Sequence, residues 1–325
     1  MEKELKQLMG YRPSIRVLDA TLRDGGLVND FRFSDAFVKA LYAANKAAGV
    51  DYMEFGYRAS KRLFNPEEFG PWKFASDEDI RAVVGDNADG PKIAVMADVG
   101  RCDFRTDIVK KDESPVDLVR VACYTHQIPG AVEMIEDAKK KGYEVSCNIM
   151  AISNAQESDL KQALEMIGQS PVDVIYVVDS FGSIYPEEMS RVIDIYRETA
   201  VKYKKDLGIH AHNNQQLAFA NSIEAIGDGV NYVDATYNSM GRGAGNCAME
   251  LMLGFLKNPK YQEYEAFKFV QDWMEPLKAS GVVWGYDLQY LITGLLDQHP
   301  RSAIAFTKQG RRDYAKFYHE ILLAD

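Results

Sequence analysis

The chain has five histidines, and two of them stand one residue apart in His210-Ala211-His212, followed by Asn213 and Asn214. A short apolar run, Leu207 to Ile209, precedes them, and a helix-like run opens at Gln216. On a β-strand, residues i and i+2 point to the same side. Both imidazoles are therefore expected to face one way at the end of a strand. Two neutral imidazoles side by side suit a first-row metal ion. A His-x-His pair is also common on protein surfaces, so the metal reading needs a carboxylate from elsewhere in the chain.

The elements that would bring one follow from the rest of the sequence. From Ile15 onward, short β-rich runs alternate with longer helical ones. Strands are expected over residues 15–21, 51–57, 92–98, 117–124, 143–150, 172–179, 207–212 and 231–236. The first long helix runs from Ser34, a good N-cap, to Ala48, with Gly49 as its stop. Others are expected over 77–84, 104–110, up to Lys141 before Gly142, and over 157–167, 186–203, 216–226 and 247–256. Eight strand–helix units over roughly 245 residues match a (β/α)8 TIM barrel. An open doubly wound sheet usually has fewer strands and a Gly-rich first turn. Gly25-Gly26 follows the first strand, but no G-x-G-x-x-G is present. The barrel is assigned to residues 13–258. Residues 259–325 form a helical C-terminal extension, with helices over 264–279, 286–296 and 309–323.

Composition narrows the partners. Of 325 residues 46% are hydrophobic, and the formal net charge is -10. That acidity argues against nucleic acid and anionic membranes. No apolar run approaches the roughly 20 residues of a membrane span. Residues 1–12 are polar and lack the apolar core of a signal peptide. Cys102, Cys123, Cys147 and Cys247 are scattered, which reads as free thiols in a reducing compartment. A cytoplasmic location is expected.

Barrel enzymes build their sites at the C-terminal ends of the strands. Strand one ends in Asp19-Ala20-Thr21-Leu22-Arg23-Asp24, strand two near Glu54 and Tyr57, and strand four in Cys123 to His126. Asn148 and Asp179-Ser180 end strands five and six, and strand eight leads into Gly241-Arg242-Gly243-Ala244-Gly245-Asn246. Strands one and seven lie two places apart in a closed barrel, so Asp24 could meet His210 and His212. One carboxylate and two imidazoles leave positions for water and substrate on a divalent catalytic metal. Mn²⁺, Mg²⁺, Co²⁺ and Zn²⁺ all suit the set, and Asn246 could add an amide oxygen. Arg23 beside it suits a substrate with a carboxylate and a carbonyl that becomes an enolate. Asn148 and Asp179 are candidates to bind that substrate. Plainer roles exist: Asp24 as a turn residue, Arg23 in a structural salt bridge, Asp179 bonded to a neighbouring loop.

T-L-R-D-G after the first strand, H-A-H-N on the seventh and G-R-G-A-G-N after the eighth resemble the DRE-TIM metallolyases (HMG-CoA lyase-like). The resemblance spans the barrel. R-V-A-C-Y-T-H from Arg120, V-V-D-S-F-G-S from Val177 and W-G-Y from Trp284 are most similar to the 4-hydroxy-2-oxovalerate aldolase branch. It implies Asp24, His210 and His212 as metal ligands and Arg23 as the group holding a 2-oxo acid and its enolate. Tyr286 resembles a tyrosine that the aldolases bring to the site from the C-terminal region, and is otherwise a helix-packing aromatic. The aldolases place a histidine base just after the first motif, where this chain has Leu27. Retro-aldol cleavage needs a group to take the hydroxyl proton. His126, a metal-bound hydroxide and Tyr286 are the candidates.

The expected activity is metal-dependent cleavage or formation of a 4-hydroxy-2-oxo acid. An acyl-CoA-condensing synthase is the alternative, although those enzymes have Glu where this chain has Gly26. A non-catalytic docking or channelling subunit is the third reading. Homo-oligomers are expected. Tyr261, Phe267, Phe269, Trp273 and Trp284 in the C-terminal helices could carry a partner enzyme. The loop over residues 58–77, with Arg58, Lys61 and Arg62, is where an anionic substrate could be recognised.

Overall fold

Eight parallel strands close on themselves in the computed structural model, which describes Arg12 and residues 14–323. They are β1 (Arg16–Asp19), β2 (Tyr52–Tyr57), β3 (Lys92–Asp98), β4 (Leu118–Cys123), β5 (Glu144–Ile149), β6 (Val174–Asp179), β7 (Asp206–Ala211) and β8 (Tyr232–Ala235). β1 pairs with β8 from Arg16↔Tyr232 to Asp19↔Ala235, which shuts the barrel. The expected (β/α)8 architecture is the observed one. The polar segment at residues 1–11 and the domain start at residue 13 lie outside the described residues.

Local chemistry sets the helix ends. The Ser34 side chain accepts the Phe37 N–H at the start of Asp35–Ala48, and Gly49 closes that helix in the left-handed region at φ 74°. Pro186–Tyr203 begins on proline, whose missing N–H costs nothing there. Strand residues alternate between two layers. Val17, Met53 and Phe55 face the surrounding helices. Leu18, Tyr52, Leu118, Tyr176 and Tyr232 fill the barrel interior. Gly208 is required here, because a Cβ on it would lie 2.6 Å from the Tyr176 ring.

The C-terminal extension has two parts. Residues 263–284 continue the barrel's core: Ala266, Phe269, Met274 and Trp284 are buried in it, and Phe269 packs on Phe37 and Tyr237 with centroids 5.5 and 4.9 Å apart. Of the aromatic residues read as a docking surface, Tyr261, Phe269 and Trp284 are thus spent on the barrel, while Phe267 is exposed. Leu288–Leu295, Arg301–Lys308 and Tyr314–Leu322 pack on a separate small cluster of Ile292, Ala303, Phe306 and Phe317. The helix Arg301–Lys308 was not expected, and the helix placed at 309–323 starts only at Tyr314. Pro300, at φ -67°, opens the extra helix, and Gly310, at φ +66°, separates the two. Among the described residues no helix is long and apolar enough to cross a membrane.

Candidate active site

β1 hands the chain straight to a short helix, Thr21–Gly25, so Arg23 and Asp24 are fixed as they leave the barrel rim. The Asp24 N–H donates to the Ala20 carbonyl at 2.8 Å, and Asp19 anchors the turn by accepting the Thr21 N–H at 2.9 Å. β7 delivers His210. His212 lies just beyond the strand, where its backbone bridges to Asn246.

The carboxylate sought from the sequence is present. Asp24 Oδ2 lies 3.1 Å from His210 Nε2 and 3.7 Å from His212 Nε2. One ligand atom from each of the three buried residues lies within 4.8 Å of the others. The two imidazole rings stand nearly perpendicular, at 85°. Asn246 Oδ1 is buried with no hydrogen-bond partner. Its amide and the carboxylate flank Gly241: a Cβ on Gly241 would sit 2.1 Å from Asn246 Nδ2 and 3.2 Å from Asp24 Oδ1. A buried carboxylate, two imidazoles and an unsatisfied amide oxygen fit a divalent ion.

Behind the triad lies a ring of charge. Arg23 Nε donates to Glu54 Oε2 at 2.8 Å, and its Nη1 donates to Asp24 Oδ2 at 3.0 Å. The same Glu54 oxygen accepts from Arg120 Nη1 at 2.9 Å, and Arg120 Nη2 donates to Asp234 Oδ2 at 2.6 Å. Asp234 in turn faces His210 Nδ1 at 2.9 Å. The contacts run Asp24, Arg23, Glu54, Arg120, Asp234, His210 and back to Asp24, all of them buried. With every carboxylate beside a cation or an imidazole, the charges are compensated inside the barrel.

The ring sets the protonation states. Burial acts to raise the Asp24 pKa, but Arg23, His212 and His210 outweigh it and hold the carboxyl well below its usual range. Burial also opposes ionisation of Asp234, which Arg120 and His210 nevertheless keep low. Burial first, then Arg242 nearby, pushes His212 well below the ordinary histidine value, leaving a neutral ring of the kind a metal binds. Burial would lower His210 too, but Asp234 and Asp24 raise it.

An open-mouthed cavity stands over the triad. Arg23, Leu27 and Asn148 line it, as do Arg242 and His299. Asp179 is buried behind the wall, where its Oδ1 accepts the Ser183 N–H at 3.1 Å. His126 is exposed, its ring parallel to Tyr124 at 5.7 Å, and it is Tyr124 that lines the cavity. Tyr286 is 46% exposed and outside the lining. It follows Gly285, which turns at φ +111°, and the group that the C-terminal extension sends into the site is His299 instead. In the loop read for anion recognition, Arg58 is paired with Asp77, and Arg62 lies 3.7 Å from Asp103.

The sequence profile of the HMGL-like family matches residues 14–267. The chain belongs to the HMGL-like family. The resemblance read from T-L-R-D-G, H-A-H-N and G-R-G-A-G-N therefore holds, and the HMGL-like family places the chain among carbon–carbon lyases. It is 29% identical over 245 residues to an oxaloacetate decarboxylase of Mycobacterium tuberculosis, covering 74% of this chain and 69% of that one. It is 29% identical over 253 residues to a 4-hydroxy-2-oxovalerate aldolase of Pelotomaculum thermopropionicum, covering 77% and 72%. Among solved structures it resembles the N-terminal domain of a candidate aldolase from Bacteroides vulgatus, with a TM-score of 0.75, 28% identity, and 90% and 96% of the two chains covered. The carboxyl transferase domain of Rhizobium etli pyruvate carboxylase superposes with a TM-score of 0.69 at 14% identity, covering 95% of this chain and 58% of that one, a likeness of fold alone.

Proposed function

We propose that the chain is a divalent-metal-dependent aldolase that cleaves or forms a small 4-hydroxy-2-oxo acid through a pyruvate-type enolate. One arrangement carries this reading: the buried Asp24–His210–His212 triad with Arg23 hydrogen-bonded to its carboxylate at the barrel mouth. The 4-hydroxy-2-oxovalerate aldolase relative supports it.

Asp24, His210 and His212 would hold the ion, with Asn246 as a further donor. Mn²⁺ or Mg²⁺ suits the oxygen donors, and Co²⁺ or Zn²⁺ the imidazoles. Such an ion supplies Lewis-acid polarisation of the substrate's C2 carbonyl. In cleavage, the C4 hydroxyl gives its proton to water in the open cavity and the C3–C4 bond breaks. The aldehyde leaves, and the electron pair moves toward the C2 oxygen. Glu54 and Asp24 clamp Arg23, so its guanidinium is preorganised for the charge that develops there. Proton delivery to C3 then completes pyruvate. Asn148 offers its amide to the substrate from the cavity wall, and Asp179 orders the Ser183 loop behind it.

The test is pyruvate release from 4-hydroxy-2-oxovalerate. Release is expected with Mn²⁺ or Mg²⁺ and lost on chelation. Release that continues unchanged in chelator rules the reading out.

One observation favours a second reading. Leu27 lines the cavity and cannot accept a proton. Decarboxylation of a 2-oxo acid with a C4 carboxylate reaches the same enolate by losing CO₂ and needs no hydroxyl-proton acceptor. The oxaloacetate decarboxylase relative is consistent with it. Faster turnover of oxaloacetate than of 4-hydroxy-2-oxovalerate, above the metal-only rate, selects this reading.

A further inference from the structure

We propose that Arg242 and His299 form a subsite that holds the C1 carboxylate of the 2-oxo acid beside the Asp24–His210–His212 triad. The inference rests on the reading of the substrate as a 2-oxo acid, which the aldol and decarboxylation readings share.

His299 stands just ahead of the helix Arg301–Lys308, and its Nδ1 accepts the Arg301 N–H at 3.1 Å. A neutral imidazole has a single lone pair on its two nitrogens. Spending it at Nδ1 places the proton on Nε2. In that tautomer the Nε2–H faces Arg242 Nη1, 3.2 Å away, donor against donor. Neither group satisfies the other, and one negatively charged oxygen between them satisfies both. Burial, then Arg242 and Arg301, push the His299 pKa down to about 3, so the ring stays neutral. The ring is also held edge-on against Phe181, with centroids 5.7 Å apart.

Arg242 needs an anion for its own reasons. Its Nη2 donates to the Ser180 carbonyl at 2.8 Å, and its Nε is buried with no partner. Among the described residues no carboxylate lies within ion-pair distance of its guanidinium. A half-buried cation with no carboxylate in ion-pair contact is costly, and an anionic ligand relieves the cost. Its backbone N–H donates to Asp24 Oδ1 at 3.0 Å, which ties the subsite to the triad. Its Nη2 also lies 3.4 Å from His212 Nε2. When that nitrogen serves as a ligand, the N–H aimed at it must find another acceptor close by. A carboxylate adjacent to a carbonyl is compact enough to reach both places. Arg23 is less suited to the carboxylate, because its Nε and Nη1 are already committed to Glu54 and Asp24. The two arginines thus divide the substrate, Arg242 taking the carboxylate and Arg23 the C2 oxygen.

The experiment is calorimetric titration of the Mn²⁺-loaded protein with oxamate, which has the carboxylate, and with oxamide, which lacks it. Arg242→Met, saturated with Mn²⁺, is expected to weaken oxamate by about 10- to 100-fold, the usual range for a hydrogen-bonded charge, and to leave oxamide affinity within about twofold. Arg242→Lys restores part of the loss. His299→Asn keeps an acceptor for the Arg301 N–H but removes the Nε2–H, and is expected to weaken oxamate by roughly 3- to 10-fold. Oxamate binding by Arg242→Met equal to wild type overturns the subsite alone. No oxamate binding by the Mn²⁺-loaded wild type overturns the 2-oxo acid reading, and the subsite with it.

Discussion

Asp234 Oδ2 lies 2.9 Å from His210 Nδ1, on the side of the ring opposite Asp24. An acceptor there receives the Nδ1–H hydrogen bond and leaves the Nε2 lone pair aimed at the triad. Asp234 is itself held by Arg120, so the orientation of the His210 ring is fixed by a charge buried deep in the barrel. Asp234→Asn is expected to lower Mn²⁺ affinity by about 10- to 100-fold, as read by titration of the metal-free protein. Unchanged affinity would show that His210 is oriented by packing instead.

Stability should depend on pH through Asp179. Burial is the main cause that pushes its carboxyl up to about 7, against the opposing hydrogen bonds from the Ser183, Ile184 and Gly182 N–H groups. In an unfolded chain an aspartate titrates near about 3.9. Between those values the folded protein keeps a proton that the unfolded chain has released. The contribution is therefore full below about pH 4 and lost as pH rises through about 7. Asp179→Asn does not titrate. Its stability relative to wild type should climb between about pH 4 and 7, by at most roughly 4 kcal/mol, in urea unfolding. A difference that stays flat across that range contradicts the assignment.

Leu27 gives a gain-of-function test. It lines the cavity where a histidine could reach the substrate. Leu27→His is expected to speed cleavage of 4-hydroxy-2-oxovalerate by at least about 10-fold, below the usual yield of a well-placed base. Oxaloacetate decarboxylation, which needs no such base, should change by no more than about threefold. Equal effects on the two substrates would place the imidazole's influence elsewhere.

The barrel was legible because its signals are local. The strand–helix alternation, the Ser34 cap and the Gly49 stop each act within a few residues. The triad was legible because His210 and His212 stand one residue apart at the end of one strand, and Asp24 lies just beyond another whose place in a closed barrel is fixed by strand order. Asp234 and Arg120 were harder to read, since they become partners only when β4 and β8 face each other across the interior. One signal was available: Arg120 stands inside the apolar run L-V-R-V-A-C, and a charge there must find a buried partner. His299 carried no periodic or motif signal. It reaches the cavity because Pro300 and Gly310 frame a helix that the apolar pattern of the C-terminal region did not reveal. Tyr286 was singled out by resemblance alone, and the turn at Gly285 leaves it outside the cavity lining.

The central claim is that Asp24, His210 and His212 hold a divalent ion which, with Arg23, supports an enolate of a 2-oxo acid. Its most direct test is deuterium exchange at C3 of pyruvate in D₂O, followed by proton NMR with Mg²⁺ present. The wild-type protein is expected to exchange the methyl protons, to stop on chelation and to resume when the metal is restored. Asp24→Ala is expected to lose at least about 100-fold in rate, as for removal of a main source of transition-state charge stabilisation. Exchange by Asp24→Ala at the wild-type rate would contradict the account.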